Sequence, residues 1–223
     1  MTIQQHTEPV VHQGHFGEFT INQKDRWRVI IYRAGVVIFS LSFIIGSLLF
    51  LWQGPTPFVL QISTPLLIVF SLGLAISVFA IRVYFISLHK LLKLFWLMGT
   101  VNIAILMWQS TTPLVLLAYY DSLALFAVCF SFATLTGLYL KEAFCYYRFE
   151  TISLTILVPV LFIGHVHDVF SLSVERTLLI VWTVLFIILV VRKLFQPLEP
   201  DIGDKSVFTY LEQRHLAKKA EKM

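Results

Sequence analysis

The chain has 223 residues, of which 57% are hydrophobic and 13% charged, and its mean hydropathy is +0.80. A soluble domain of this size cannot bury that much apolar surface. The stretch from 34 to 81 contains no charged residue and includes runs long enough to cross a bilayer. The composition therefore excludes a soluble domain and predicts an integral membrane protein in a lipid bilayer, with no nucleic acid partner.

The apolar runs predict an all-α polytopic bundle of about six transmembrane helices. Turn signals separate them: Pro55 and Pro57 follow the first span, and Pro113 lies beyond the third. The sixth span ends in Arg192 and Lys193. The predicted spans cover residues 34–52, 64–81, 91–108, 122–140, 151–164 and 177–191.

Lysine and arginine are concentrated on one side of this arrangement. The N-terminal segment, the connections after the second and fourth spans and the C-terminal tail carry 4, 3, 2 and 7 of them, whereas the other side carries only Arg176. Cytoplasmic segments of membrane proteins carry the excess of these cations. We therefore expect both termini in the cytoplasm or in its plastid equivalent, the stroma.

The apolar segment 114–120 does not fit a span of its own, because Asp121 follows it. One interpretation is that the segment lies in the outer interface and that Asp121 caps the fourth span through the N–H groups of its first turn. The alternative is one long tilted span that begins near Val115 and buries Asp121.

Charged residues at the inner ends of the spans form the first candidate site. Arg82, Lys141 and Glu142 are placed to form an ion pair between the second and fourth spans, which would fix helix packing. The functional alternative is a site for an anionic lipid headgroup or a cofactor phosphate.

The sequence GHVHDVF, residues 164 to 170, forms the second candidate site, at the outer end of the fifth span. Its residues His165, His167 and Asp168 are of the types that bind zinc, and a histidine can ligate the magnesium of a chlorophyll. On a helix His165 and Asp168 share a face while His167 points elsewhere. The alternative is a polar loop with Glu175 and Arg176 nearby.

We expect three parts: a flexible polar segment (1–25), a transmembrane domain (26–195) and a cytoplasmic tail (196–223). In the tail, Asp204 is predicted to cap a helix of about 15 residues. Its short apolar face suits docking to another protein, or the helix lies on the membrane surface. That face consists of Val207, Phe208 and Leu211.

The sequence resembles a family of uncharacterised integral membrane proteins from cyanobacteria and algal plastids, there called hypothetical chloroplast reading frame thirty-six. The resemblance spans about residues 26–211. It implies a thylakoid or plasma membrane and a role near photosynthetic complexes, with chlorophyll or carotenoid as conceivable cofactors. The motifs that carry it are RVIIYRAG, ISLHKLLKLFW, TGLYLKEAFCYYRFE and QPLEPDIGDKSVFTYL.

No Asp, Glu, Lys, Arg or His falls in the middle of any predicted span. Proton-coupled pumps and ion carriers usually need such a group at depth. We therefore expect a non-enzymatic accessory or assembly factor of a membrane protein complex, and the resemblance implies that the partner is a photosystem. The alternatives are a small transporter or channel for a neutral or lipid-like solute, and a pigment- or metal-binding protein.

The cation asymmetry generates a topological prediction. Protease-cleavable tags at both termini should be cleaved from the cytoplasmic or stromal face, because the segments that bear them carry the excess of Lys and Arg. The measurement is protease accessibility in sealed vesicles of known orientation. Protection of either tag on that face would contradict an even number of spans with both ends inside.

Overall fold

The computed structural model describes residues 11–81, 85–110, 112–208, 210, 211 and 213, with the side chain of Ile86 left out. Six of the helices within these residues are long and apolar enough to cross a membrane, which confirms the predicted six-span helical architecture. The six are α1, α2, α3, α5, α6 and α7. The elements in chain order are β1 (Val11–Gly14), β2 (Gly17–Thr20), α1 (Gln23–Gln53), α2 (Pro57–Ala80), α3 (Ile86–Gln109), α4 (Leu114–Tyr120), α5 (Ser122–Tyr146), α6 (Phe149–Val166), α7 (Leu172–Phe195) and α8 (Glu199–Ile202).

Most of the helices extend beyond the predicted spans. The largest extension is in α1, which begins at Gln23 although its apolar part begins at Ala34. Asp25 supports this early start, because its Oδ2 accepts a hydrogen bond from the backbone N–H of Asn22. The apolar run marks the stretch that suits lipid, whereas helical hydrogen bonding continues into polar sequence.

The chain forms two compact units. Residues 31–196 form the membrane unit, and the residues up to 30 together with those from 197 onward form the terminal unit. Aromatic rings from several helices fill the centre of the membrane unit. The ring centroids of Phe39 and Phe186 are 6.0 Å apart, and those of Phe43 and Trp182 are 4.5 Å apart. These spacings are typical of attractive aromatic pairs.

Small residues bring α1 and α2 into close contact. A Cβ atom added at Gly73 would lie 2.6 Å from the backbone nitrogen of Phe39 and 3.0 Å from the carbonyl oxygen of Gly35. The Ser77 hydroxyl donates a hydrogen bond to the carbonyl oxygen of Tyr32 at 3.1 Å. Glycine is needed at Gly73 because any side chain would force the two helices apart.

The helix α4 ends where the cap interpretation of Asp121 predicted. The Asp121 Oδ1 accepts a hydrogen bond from the N–H of Leu123 at 3.0 Å, and α5 begins at Ser122. The chain therefore breaks at Asp121 rather than continuing as one long helix. The inner face of α4 is buried through Leu114 and Ala118.

In the terminal unit, residues 11–20 form an antiparallel hairpin rather than the flexible segment expected from their polar composition. Val11 pairs with Thr20 and Gly14 with Gly17, which leaves a two-residue turn. Gly17 has a φ of 135°, a conformation that favours glycine. As predicted, the described residues after Asp204 (205–208, 210, 211 and 213) are helical, and Asp204 Oδ1 accepts a hydrogen bond from the N–H of Ser206.

The two ends of the chain meet in this unit. Asp204 Oδ2 accepts a hydrogen bond from the N–H of His15 at 2.6 Å, and the Ser206 hydroxyl accepts one from the N–H of Phe16 at 3.0 Å. Lys205 forms an ion pair with the buried Asp25 at 2.8 Å. The bonds from Asp204 and Ser206 to the hairpin turn, of which the one to Asp204 is charge-assisted, explain why a polar segment is ordered.

Candidate functional site

One end of the membrane unit contains a buried charge cluster around Glu142. Its Oε1 lies 2.9 Å from Lys141 Nζ, and its Oε2 lies 2.8 Å from Lys193 Nζ. The Tyr32 hydroxyl donates a third hydrogen bond to the same carboxylate at 2.9 Å. All four side chains are buried. One carboxylate thus connects α1, α5 and α7.

Two tyrosine rings lie beside both ammonium groups. Lys193 Nζ is 4.8 Å from the ring centroid of Tyr146 and 5.3 Å from that of Tyr32. Lys141 Nζ is 5.8 and 5.5 Å from the same two rings. Aromatic faces attract cations, most strongly when water is excluded. The lysines are therefore held by rings as well as by the carboxylate.

Lys141 and Glu142 were predicted to belong to one charged site, and in the structure their side chains form an ion pair. Arg82, the third member of that candidate site, lies outside the described residues. Lys193 was not singled out, because a lysine after the last span is accounted for by the positive-inside pattern. The neighbouring Glu150 is also buried and pairs with Arg192 at 2.8 Å, but the Arg192 side chain is 54% exposed.

A cavity of about 300 Å³ lies at the opposite ends of the same helices. Parts of α1, α2, α4, α5, α6 and the start of α7 form its wall. Apolar side chains dominate the lining, among them Phe43, Leu67, Phe70 and Phe132. Small-molecule sites in proteins typically have this size and apolar character, with a few polar groups that orient the ligand.

Four polar side chains lie together in the lining: Tyr119, His165, Glu175 and Arg176. His165 Nδ1 is 2.7 Å from Glu175 Oε1. Burial raises the pKa of Tyr119, and the neighbouring Tyr120 and Glu175 raise it further, whereas Arg176 lowers it. The cavity therefore has an apolar interior and one charged margin, which we call the polar mouth.

The three residues of the second candidate site have different surroundings in the structure. His165 lines the cavity and pairs with Glu175, while His167 ends α6 and Asp168 follows in a left-handed turn with φ of 52°. Across the described ranges, no three His, Cys, Asp or Glu side chains are grouped as metal ligands would be. Pigment ligation by a single histidine stays a prediction.

A second apolar groove of about 530 Å³ runs beside α3, α5 and α6. Its lining includes Phe126 and Ile163, which are 62% and 61% exposed, so the groove opens on the outer surface of the bundle. Lipid-facing side chains of a membrane protein produce such grooves generally. The first cavity is the stronger candidate, since buried residues such as Leu60 and Phe70 line it and polar groups converge on it.

The predicted docking residues lie in the terminal unit and are half-buried: Val207, Phe208 and Leu211. The more exposed apolar pair there is Phe16 and Tyr210, 53% and 40% exposed, with ring centroids 4.1 Å apart.

The carboxylate of Asp204 stabilises this unit in a pH-dependent way. Burial raises the pKa of Asp204, but hydrogen bonds from the Ser206 hydroxyl and from the N–H groups of His15 and Ser206 outweigh this effect and lower it. The stabilisation is therefore present above the ordinary carboxyl pKa and is lost as the pH falls through the lowered one.

These features define a polytopic helical membrane protein with a buried charge cluster at one end of its bundle and an apolar cavity at the other. A family model described as "Uncharacterized integral membrane protein (DUF2301)" matches residues 76–210. That match covers more than half of the chain, which therefore belongs to this family. No curated protein and no solved structure matches the chain significantly.

The charge cluster generates a prediction about stability. Glu142→Gln should lower the free energy of unfolding by about 3–5 kcal/mol, because it removes the carboxylate shared by two buried ammonium groups. Glu150→Gln is the matched control and should cost about 1 kcal/mol or less, since Arg192 keeps its contact with water. Thermal unfolding of both variants in the same detergent measures the difference. Equal melting temperatures would show that Glu142 does not hold the helices together.

Proposed function

We propose that the chain binds a lipid-like molecule inside its helical bundle, as the binding component of a small carrier or receptor for such solutes. The observation that carries this proposal is the cavity of about 300 Å³, which combines an apolar wall with a polar mouth. An amphiphile has the same division, with an apolar body and one hydrogen-bonding end. This function corresponds to the alternative of a small transporter for a neutral or lipid-like solute, which the sequence left open.

The position of the cavity supports this proposal. Its wall includes buried core residues, so a bound chain would replace empty space with contacts. Each methylene group removed from water contributes about 0.8 kcal/mol. A ligand already dissolved in the bilayer gains less, because lipid tails are as apolar as the cavity wall. Selectivity must then come from shape and from the polar mouth.

A role as accessory or assembly factor is the second candidate, and the terminal unit favours it. A hairpin and a C-terminal segment from opposite ends of the chain are held together by Asp204, Ser206 and Lys205. The stacked and exposed pair Phe16 and Tyr210 is suited to a protein partner, since aromatic residues are enriched at interfaces. A photosynthetic partner and a thylakoid or cyanobacterial plasma membrane are what the resemblance implies, and they stay predictions.

The cavity proposal predicts saturable binding of a long-chain alcohol. Purified protein in a neutral detergent should bind tritiated hexadecanol, and Gly46→Leu should weaken binding about 10-fold or more. Gly46 lines the cavity, and a Cβ there meets only Leu66 at 3.8 Å, so a leucine can enter the space and displace ligand methylenes.

The matched control is Gly46→Ala, which adds a single methyl group and favours the helix. This variant should bind within about threefold of the wild type, since it displaces about one methylene group. Scintillation proximity measures all three proteins, and melting temperature checks folding. Binding that Gly46→Leu leaves unchanged would place the ligand outside the cavity.

The accessory role predicts that deletion of residues 201–223 removes association with a larger complex and leaves the six spans folded. The spans do not need the tail, because each satisfies its own backbone hydrogen bonds. The finer variant is Phe16→Ser with Tyr210→Ser, and Tyr120→Ser is the control, an exposed aromatic outside the terminal unit. Native gel migration in mild detergent measures association. Unchanged co-migration of the truncated protein would rule out docking through the C-terminal tail.

A further inference from the structure

The polar mouth indicates which head group the ligand has, and the apolar wall does not. An apolar wall accepts alcohols, acids and hydrocarbons alike, whereas charged groups at the mouth distinguish head groups. Two of the four polar side chains already satisfy each other. His165 Nδ1 and Glu175 Oε1 are 2.7 Å apart, a hydrogen-bonded distance for a histidine and a carboxylate.

Arg176 differs from His165 and Glu175 in this respect. Among the residues that the structure describes, no carboxylate lies within ion-pair distance of its guanidinium and no hydrogen bond engages it. The guanidinium lies against the turn between α1 and α2, where Nη2 would be 3.5 Å from a Cβ at Gly54. Its side chain is exposed at the mouth, with five N–H donors and no acceptor among the described residues.

The backbone adds positive potential at the same place. The 24-residue helix α7 begins at Leu172, so its N-terminal end and Arg176 both lie at the mouth. Helix N-termini favour anions through their dipole and their unpaired N–H groups. A cationic head group would instead approach Arg176 and compete with His165 for Glu175. Because Glu175 in the first turn of α7 is already paired with His165, the charged group left to contact a head group is the Arg176 guanidinium.

We infer that the ligand of the cavity is an anionic amphiphile, with an acidic oxygen head at Arg176 and its apolar chain among Phe43, Phe70 and Phe132. This inference rests on the proposed function. A long-chain carboxylate and the phosphate of a membrane lipid share this head chemistry, since both present oxygen acceptors to a guanidinium. Arg176 acts here as a specificity-determining residue.

The test compares tritiated palmitate with tritiated hexadecanol on the same protein in neutral detergent, at a pH where the carboxylate is ionised. Palmitate should bind about 10-fold more tightly than hexadecanol, which corresponds to about 1.4 kcal/mol. Arg176→Gln should remove this preference and leave the dissociation constant of hexadecanol within about twofold. Lys90→Gln is the control, because it removes an exposed cation that does not line the cavity.

Binding of the two compounds tests the cavity and the recognition of an anionic head group separately. If neither compound binds saturably, or if Gly46→Leu has no effect, the proposed function fails and the inference falls with it. If both compounds bind equally, or if Arg176→Gln weakens both to the same extent, the cavity binds amphiphiles without recognising an anion, and the inference alone is overturned.

Competition then identifies the source of the anionic head. Unlabelled phosphatidylglycerol that displaces palmitate, while phosphatidylcholine does not, would support a membrane lipid phosphate as the ligand. Displacement of palmitate by neither lipid would support a single-chain carboxylate. Equal displacement by both lipids would show that the head group carries no selectivity and would contradict the inference.

Discussion

The packing at one end of the membrane unit depends on a single carboxylate. Glu142 accepts from Lys141 on its own helix, from Lys193 on α7 and from Tyr32 on α1, so three helices that are distant in sequence share one acceptor. Removing charges from water is expensive, and a buried ion pair often contributes little net stability compared with apolar packing. The ion cluster instead disfavours other arrangements of the helices, because an arrangement that separates these partners leaves buried charges without a counter-charge. Any other register of the three helices is therefore expected to be disfavoured by the loss of these contacts.

Elsewhere the membrane unit is held by shape. In a bilayer the helices gain little from the hydrophobic effect when they associate, so close packing must supply the difference. Gly35 and Gly73 allow α1 and α2 to approach until backbone atoms touch, and the rings of Phe43, Phe132 and Trp182 fill the centre. Beyond these rings the helices pack less closely, and the cavity lies between them. The bundle is therefore closely packed at the end that contains the charge cluster and the glycine contacts, and it contains the cavity at the other end.

The sequence was sufficient for the spans, because a helix of about 20 apolar residues is a local property. It was also sufficient for the cap at Asp121 and for the proximity of Lys141 and Glu142, which are neighbours in the chain. It was insufficient for Lys193, since burial of a cation after the last span depends on helices far away in sequence. The cavity escaped prediction for the same reason, because six elements contribute to its wall. The hairpin could not be predicted, because the Asp204 carboxylate that accepts a hydrogen bond from its turn lies 189 residues from His15.

The distribution of charge also bears on how a ligand would reach the cavity. Glu142 and its lysines occupy the end of the bundle where α5 and α7 terminate, whereas Arg176 lies at the end where α7 begins. An anionic head that entered from the first end would meet buried ammonium groups already held by a carboxylate and two aromatic rings. At the second end it meets a guanidinium without a protein acceptor among the described residues. On the proposed function, an acidic amphiphile would meet Arg176 at the mouth and not the cluster. The charged groups at the two ends differ in what they contact: the cluster joins three helices, whereas Arg176 is exposed at the margin of the cavity.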